Sequence, residues 1–218
     1  MNTETDYVPD TVADQIHKDL RQKLCEGSFM PGERVSIRAI SIQHDLSVIP
    51  VRDAVRRLVA EGGLRFADSR TIEVPKLSMT NHRDVLFSRS QLEPEAAARA
   101  YANLTQSDLQ DLVQIDAQVN EAIRRNDLTL YMKSNYSFHF LIYNRSGAPT
   151  LLRLIEILWL QYGPSMRFIT AQYGANALAD DYHRAATDAL SRQDAAGFVA
   201  AIRADISQGM EFIRAAKV

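Results

Sequence analysis

The sequence predicts a mainly α protein in two parts: a winged helix-turn-helix of three helices plus a β-hairpin, then an all-α bundle of six or seven helices. Three observations predict it. Residues 47–58 read as a short helix with one apolar and one cationic face, two short alternating runs follow a double glycine, and from residue 79 onward helical periodicity is interrupted only by turn residues.

The elements follow in order. Val12, Ile16, Leu20 and Leu24 recur every four residues and predict a first helix that stops at Gly27. Pro31-Gly32 makes a turn, and Ser36 opens a second short helix through about Gln43. Ser47 stands where its side chain can cap the third helix, and Pro50 falls in the first turn, where a missing N–H does no harm. Val51, Ala54, Val55 and Leu58 share one face and demand a core, which turns Val48, Arg52 and Arg56 outward. Gly62-Gly63 ends that helix, and Leu64–Phe66 and Thr71–Val74 flank Ala-Asp-Ser-Arg as a hairpin with Arg65 and Arg70 near its tip.

An outward Arg near a helix N-terminus can reach a guanine edge in the major groove, so double-stranded DNA is the expected partner. An isolated run of this kind also fits an ordinary solvated face. The three helices and hairpin around it favour DNA. Net charge is only −2, but between Arg34 and Arg70 seven arginines face four acids, a local +3. Phosphate neutralisation drives much of DNA affinity, and a modest excess suits a homodimer that doubles it.

Composition is that of a water-soluble chain long enough for two small domains. No apolar segment opens the chain, and Leu151–Leu160 is interrupted by Arg153 and Glu156, so neither secretion nor a membrane span is expected. Cys25 is the only cysteine and cannot form an internal disulfide, which fits a cytoplasmic protein.

Three segments carry a family resemblance. They are Pro31-Gly-Glu-Arg-Val35, Pro50-Val-Arg-Asp-Ala-Val-Arg-Arg-Leu58 and Glu61-Gly-Gly-Leu64, and together they resemble the GntR family of bacterial transcription regulators. The resemblance implies a DNA-reading Arg in helix 2, matched by Arg38, and another after Pro-Val in helix 3, matched by Arg52. The sequence departs from the family at Val48 and Ile49, where Arg and a small hydroxyl residue are usual, at Thr71 in place of a wing Gly, and at Glu73 in place of an aromatic. Val48 and Ile49 donate no hydrogen bond but can pack on a thymine methyl. The expected DNA-contacting set is therefore Arg38, Val48, Ile49, Arg52, Arg56 and Arg70.

The boundary falls near Pro75–Thr80, dividing the chain into 8–76 and 79–218. Breaks at Thr105–Ser107, Asn126-Asp127, Ser146–Pro149, Gly163-Pro164, Gly174–Asn176 and Arg192–Asp194 separate the helices of the second part. On Leu128 to Ser146 the stripe Leu128, Met132, Asn135, His139, Ile142 points Asn135 and His139 inward. His183 lies on the stripe Ala179, His183, Ala186, Leu190, and Asp205 on Phe198, Ile202, Asp205, Phe212. His183 sits about ten residues before the Arg192–Asp194 turn and Asp205 about eleven after; at ~1.5 Å per residue they come level across an antiparallel pair. Polar groups buried without partners cost several kcal/mol, so something must satisfy these four.

A divalent transition metal would do so, since imidazoles, a carboxylate and an amide oxygen suit Zn²⁺, Ni²⁺, Mn²⁺ or Fe²⁺. A metal-free hydrogen-bonded cluster, with His139 or His183 paired to Asp205, is the other reading. His17 and His44 are expected to be exposed, and His82 to lie near the start of the first helix of this part.

Arg89-x-x-Leu92-Glu93-Pro94-Glu95, Asn135-x-x-x-His139, His183 and Asp205 resemble the FCD ligand-binding domain of the FadR branch of that family. The resemblance implies a metal site of Asp-x-x-x-His with two further His; here Asn135 replaces the Asp and Asp205 the last His. It also implies that Arg89 holds the carboxylate of an organic-acid effector, although an exposed, idle Arg89 is equally open. The whole reads as a cytoplasmic, homodimeric, non-enzymatic DNA-binding regulator, a repressor controlled by a small carboxylate. A helical metal-dependent hydrolase or lyase is the alternative.

Overall fold

A computed structural model describes residues 10–68, 70–167 and 181–215. Helix α1 (Val12–Cys25) opens with Thr11, whose side chain and that of Asp14 cap each other's backbone. It buries Ile16, Leu20 and Leu24 against α3 (Val48–Ala60), which buries Val51, Ala54, Val55 and Leu58 in return. Complete burial of such side chains stabilises by about 1.5–3 kcal/mol for each of the larger ones. The short α2 (Ile37–Gln43) is capped by Ser36. Two expectations need correction here. Ser47 occupies the cap position of α3 but makes no side-chain cap bond. Pro50 is the third helical residue, and it lacks the N–H that a capping hydroxyl would accept from. His17 is buried, not exposed, with Nε2 2.9 Å from Glu61 Oε1, because α1 packs on both α3 and the second domain. His44 is half-buried, 3.6 Å from Asp19.

The wing gains a strand. Strands β1 (Arg34–Val35), β2 (Arg65–Phe66) and β3 (Ile72–Glu73) form an antiparallel sheet in the order β1-β3-β2. Near its tip Asp68 Oδ1 accepts from the N–H groups of Arg70 and Thr71, at 2.7 and 2.8 Å. That turn needs no left-handed residue at 71, which explains how Thr71 is accommodated.

The second domain contains α4 (Met79–Tyr101), α5 (Gln106–Arg125), α6 (Leu128–Asn144), α7 (Pro149–Tyr162), α8 (Tyr182–Ser191) and α9 (Ala195–Ala215), with a 3₁₀ turn (Gly163–Met166) after α7. The expected break at Gly174–Asn176, and Ala179, lie outside the described residues. Helix α9 packs against α4 and α8, α5 against α6, and α4 against α7. Pro94 stands inside α4 without an N–H for the carbonyl of Ser90. Arg203 of α9 supplies the missing donor, Nη1 to Ser90 O at 2.7 Å. His82 is also buried against α9, its Nε2 2.8 Å from the carbonyl of Met210.

The α8–α9 turn fixes the register of the site. Gln193 takes a left-handed φ of 58°, Asp194 N–H returns to Ala189 O, and Asp194 Oδ1 accepts from Gly197 N–H at the start of α9. His183 and Asp205 then come level, as their spacing predicts. Among the described residues no helix is long and apolar enough to cross a membrane.

Candidate functional site

The first candidate surface is the outer face of α3. Val48, Ile49, Arg52 and Arg56 are all exposed there, Ile49 at 71%, opposite the buried stripe. Arg38 on α2 and Arg70 at the wing are exposed too, and none of Arg38, Arg52, Arg56 or Arg70 makes a side-chain ion pair among the described residues. Arg57 and Arg65 differ: Arg57 is bonded to Asp14 and Arg65 to Glu73 across the β2–β3 register. Those two cations are already neutralised within the domain.

The second candidate lies in the helical domain, where α6, α8 and α9 bring three predicted residues together. One ligand atom from each of His139, His183 and Asp205 falls within 4.8 Å of the others. His139 Nε2 is 3.1 Å from Asp205 Oδ2, and His183 Nε2 is 3.6 Å from Asp205 Oδ1. Both imidazoles are buried. Burial pulls the His139 pKa down, outweighing Asp205. For His183 burial pulls the same way, but the charges of Asp205 and Asp116 outweigh it and the net direction is up. Burial pushes the Asp205 carboxyl up, yet the two imidazoles beside it win and hold it at about 2.

Asn135 lines both cavities that meet at this cluster, with Nδ2 3.9 Å from Met166 Sδ. The larger cavity, about 80 Å³, is bordered by Asp116, Asn120, Tyr131, His183, Asp205 and Gln208. The smaller, about 20 Å³, reaches Arg89, Tyr162 and Met166. Arg89 is buried, not exposed and idle. Its Nε and Nη2 bond to Glu93 at 2.5 and 3.1 Å, and its guanidinium lies 3.9 Å from the centroid of Tyr162. Nη1 of Arg89 and Nε2 of His183 are buried without a hydrogen-bond partner among the described residues.

Sequence reasoning missed Asp116, whose Oδ1 lies 3.5 Å from His183 Nδ1. The signal was there: Leu112, Asp116, Val119 and Ala122 share the buried face of α5. Nor did it single out Tyr143, a core residue whose oxygen lies 3.0 Å from His139 Nδ1 while its hydroxyl donates to Glu93 Oε2 at 2.6 Å.

Residues 12–74 match the family described as bacterial regulatory proteins, gntR family, and residues 84–208 match the FCD domain. The chain belongs to the GntR family and carries an FCD domain. It is 32% identical over 155 residues to the HTH-type transcriptional regulator McbR of Escherichia coli (strain K12), covering 71% of this chain and 70% of that one. To the HTH-type transcriptional repressor RspR of the same strain it is 31% identical over 143 residues, 65% of this chain and 63% of the other. Among solved structures, E. coli McbR/YncC superposes with a TM-score of 0.86 at 26% identity, over 96% of this chain and 100% of that chain. A putative GntR regulator from Rhodococcus sp. RHA1 shares the fold at a TM-score of 0.74 and 16% identity, over 93% and 97% of the two chains. Matched domains and relatives are transcription regulators, which sets aside the hydrolase or lyase reading.

Proposed function

We propose that this GntR-type regulator acts in the cytoplasm as a homodimeric repressor, binding a palindromic operator through the 8–76 domain and a small carboxylate effector through the 79–218 domain, on a divalent transition ion. DNA contact would come from Arg38, Val48, Ile49, Arg52, Arg56 and Arg70, the exposed set described above. The repressor assignment follows RspR, an HTH-type transcriptional repressor.

One observation carries the ion. Because Tyr143 gives its only hydroxyl proton to Glu93, its oxygen accepts from His139 Nδ1–H, so a neutral His139 turns the Nε2 lone pair toward Asp205 Oδ2 at 3.1 Å. A lone pair facing a carboxylate is repulsive unless a proton or a metal ion lies between them. Two of the spacings suit a metal ion: ligand atoms about 2.1 Å from a tetrahedral ion are roughly 3.4 Å apart, beside the 3.1 and 3.6 Å from the imidazoles to the two oxygens of Asp205. The donor set of two imidazoles and a carboxylate, with the amide of Asn135 beside it, is that of a borderline transition ion. His139, His183 and Asp205 would hold the ion, which would offer open positions to an anionic ligand. Arg89 Nη1, the orphaned donor at the end of the smaller cavity, is the group that would meet the effector's carboxylate.

Elemental analysis of protein purified without a histidine tag tests this. About one transition ion per chain is expected, with a melting temperature that falls on chelation and recovers with the ion, as linkage requires. His139→Ala and His183→Ala should each lose the ion. Metal-free protein whose melting temperature ignores both chelator and added Zn²⁺ or Ni²⁺ would leave a hydrogen-bonded cluster instead.

A further inference from the structure

The two histidines are mounted in the same way. His183 stacks face to face on Phe138, with centroids 3.9 Å apart and planes 9° from parallel, and its Nδ1 edge meets Asp116. What remains free is Nε2, turned toward Asp205. His139 gives its Nδ1 edge to the Tyr143 oxygen, Tyr143 donates to Glu93, and Glu93 is held by Arg89. Again Nε2 is the opposite edge, and again it faces Asp205, here at 3.1 Å. A carboxylate behind each ring, direct in one case and through a phenol in the other, accepts the Nδ1 proton and enriches the opposite nitrogen. Asp116 and Glu93 lie on α5 and α4, so four helices contribute to the placement of two lone pairs.

We propose that Asp116 and the Tyr143–Glu93 pair are positioning residues of the ion site, holding His183 and His139 as Nδ1–H tautomers whose Nε2 atoms converge beside Asp205, and so setting its affinity for a divalent transition ion. The affinity part rests on the ion reading above; the tautomer part stands without it. It also gives Arg89 a second task, since the carboxylate it grips is the one that orients Tyr143. An effector drawing on Arg89 would therefore act on the His139 side of the ion.

Two measurements on the full chain test it. In metal-free protein at alkaline pH, ¹⁵N imidazole shifts should show both rings protonated at Nδ1 and bare at Nε2. Asp116→Ala should release that preference in His183 alone, and Tyr143→Phe in His139 alone, a residue-specific signature that general loosening of the core would not produce. In competition titrations with Ni²⁺ and a chromophoric chelator, Asp116→Ala and Tyr143→Phe should each weaken binding about 10–100-fold. The isosteric Asp116→Asn should lose less, because its amide oxygen still accepts from Nδ1–H. Nε2–H tautomers in the wild type, or wild-type Ni²⁺ affinity in both Asp116→Ala and Tyr143→Phe, would overturn the proposal. Correct tautomers in a wild type indifferent to Ni²⁺ and Zn²⁺ would overturn the affinity claim and the ion reading with it.

Discussion

Arg52 leaves the first full turn of α3 with its guanidinium unpaired among the described residues, on the side away from Val51, Ala54 and Val55. A bidentate contact with guanine is worth about 1–3 kcal/mol of discrimination, so Arg52→Ala should lose sequence preference by that amount in a gel-shift titration. Arg70→Ala on the wing should instead weaken all DNA alike and reduce the salt slope by about 1. In the helical domain Asn135→Asp should tighten ion binding, because a second carboxylate replaces a neutral amide beside Asp205; unchanged Ni²⁺ affinity would remove Asn135 from the site. The inward stripes made His139, His183 and Asp205 legible in the sequence, since each is a polar residue on an otherwise apolar helical face. Asp116 obeys the same rule but sits in a helix where polar residues abound, and nothing local marks which carboxylate will face a histidine from another helix. Whether Arg89 would be exposed or buried was likewise closed to sequence alone. Glu93 is one turn along the same helix, but Tyr162, against which the guanidinium lies, arrives only when α4 meets α7.

Helix α5 shows how an element's ends set its pH response. Thr105 and Asp108 cap each other, and Arg145 bonds Asp108 from the end of α6. The Arg145 hydrogen bonds, then the backbone N–H of Thr105, hold the Asp108 carboxyl down at about 2. A depressed carboxyl stabilises the fold above its unfolded value of about 3.9, and that contribution disappears as pH falls through about 2. Asp108→Asn should therefore flatten the fall in melting temperature between about pH 4 and 2; a melting curve that drops as steeply as the wild type over that range would assign the acid limb to other groups. The 3₁₀ turn at Gly163 is a different kind of element, a seat for the DNA-binding domain. A Cβ there would lie 2.8 Å from the carbonyl oxygens of Leu24 and Cys25, so only glycine lets α1 approach. Gly163→Ala should cost about 1–3 kcal/mol by thermal denaturation. An unchanged melting temperature would mean that α1 is not seated as described. The third strand of the wing was not readable in advance, because two residues beside a Pro-Gly turn carry no alternation to detect.

At the scale of the whole molecule, the two domains meet through that seat and through Arg21, which bonds Glu156 of α7 at 2.8 Å and stands 3.5 Å from Glu61 of the DNA-binding domain. Arg167 adds a bond to the carbonyl of Gly27 at 2.7 Å. The same stretch carries Tyr162 and Met166, which wall the cavity beside Arg89. Under the proposed reading, a ligand beside Arg89 and the position of α1 are coupled through this stretch, which is the physical route by which an effector would alter DNA binding. A single wing and recognition helix offer few contacts, and two half-sites related by a two-fold axis are the usual remedy. Sedimentation equilibrium at micromolar concentration should find a dimer, and a monomer of 24.5 kDa would count against the palindromic operator. The most direct test is an anisotropy titration, at fixed physiological salt, of the DNA upstream of the chain's own gene against unrelated DNA of equal length. The upstream fragment should bind at least about 10³-fold more tightly, the lower bound for a specific regulator; equal affinity for both fragments would contradict the account.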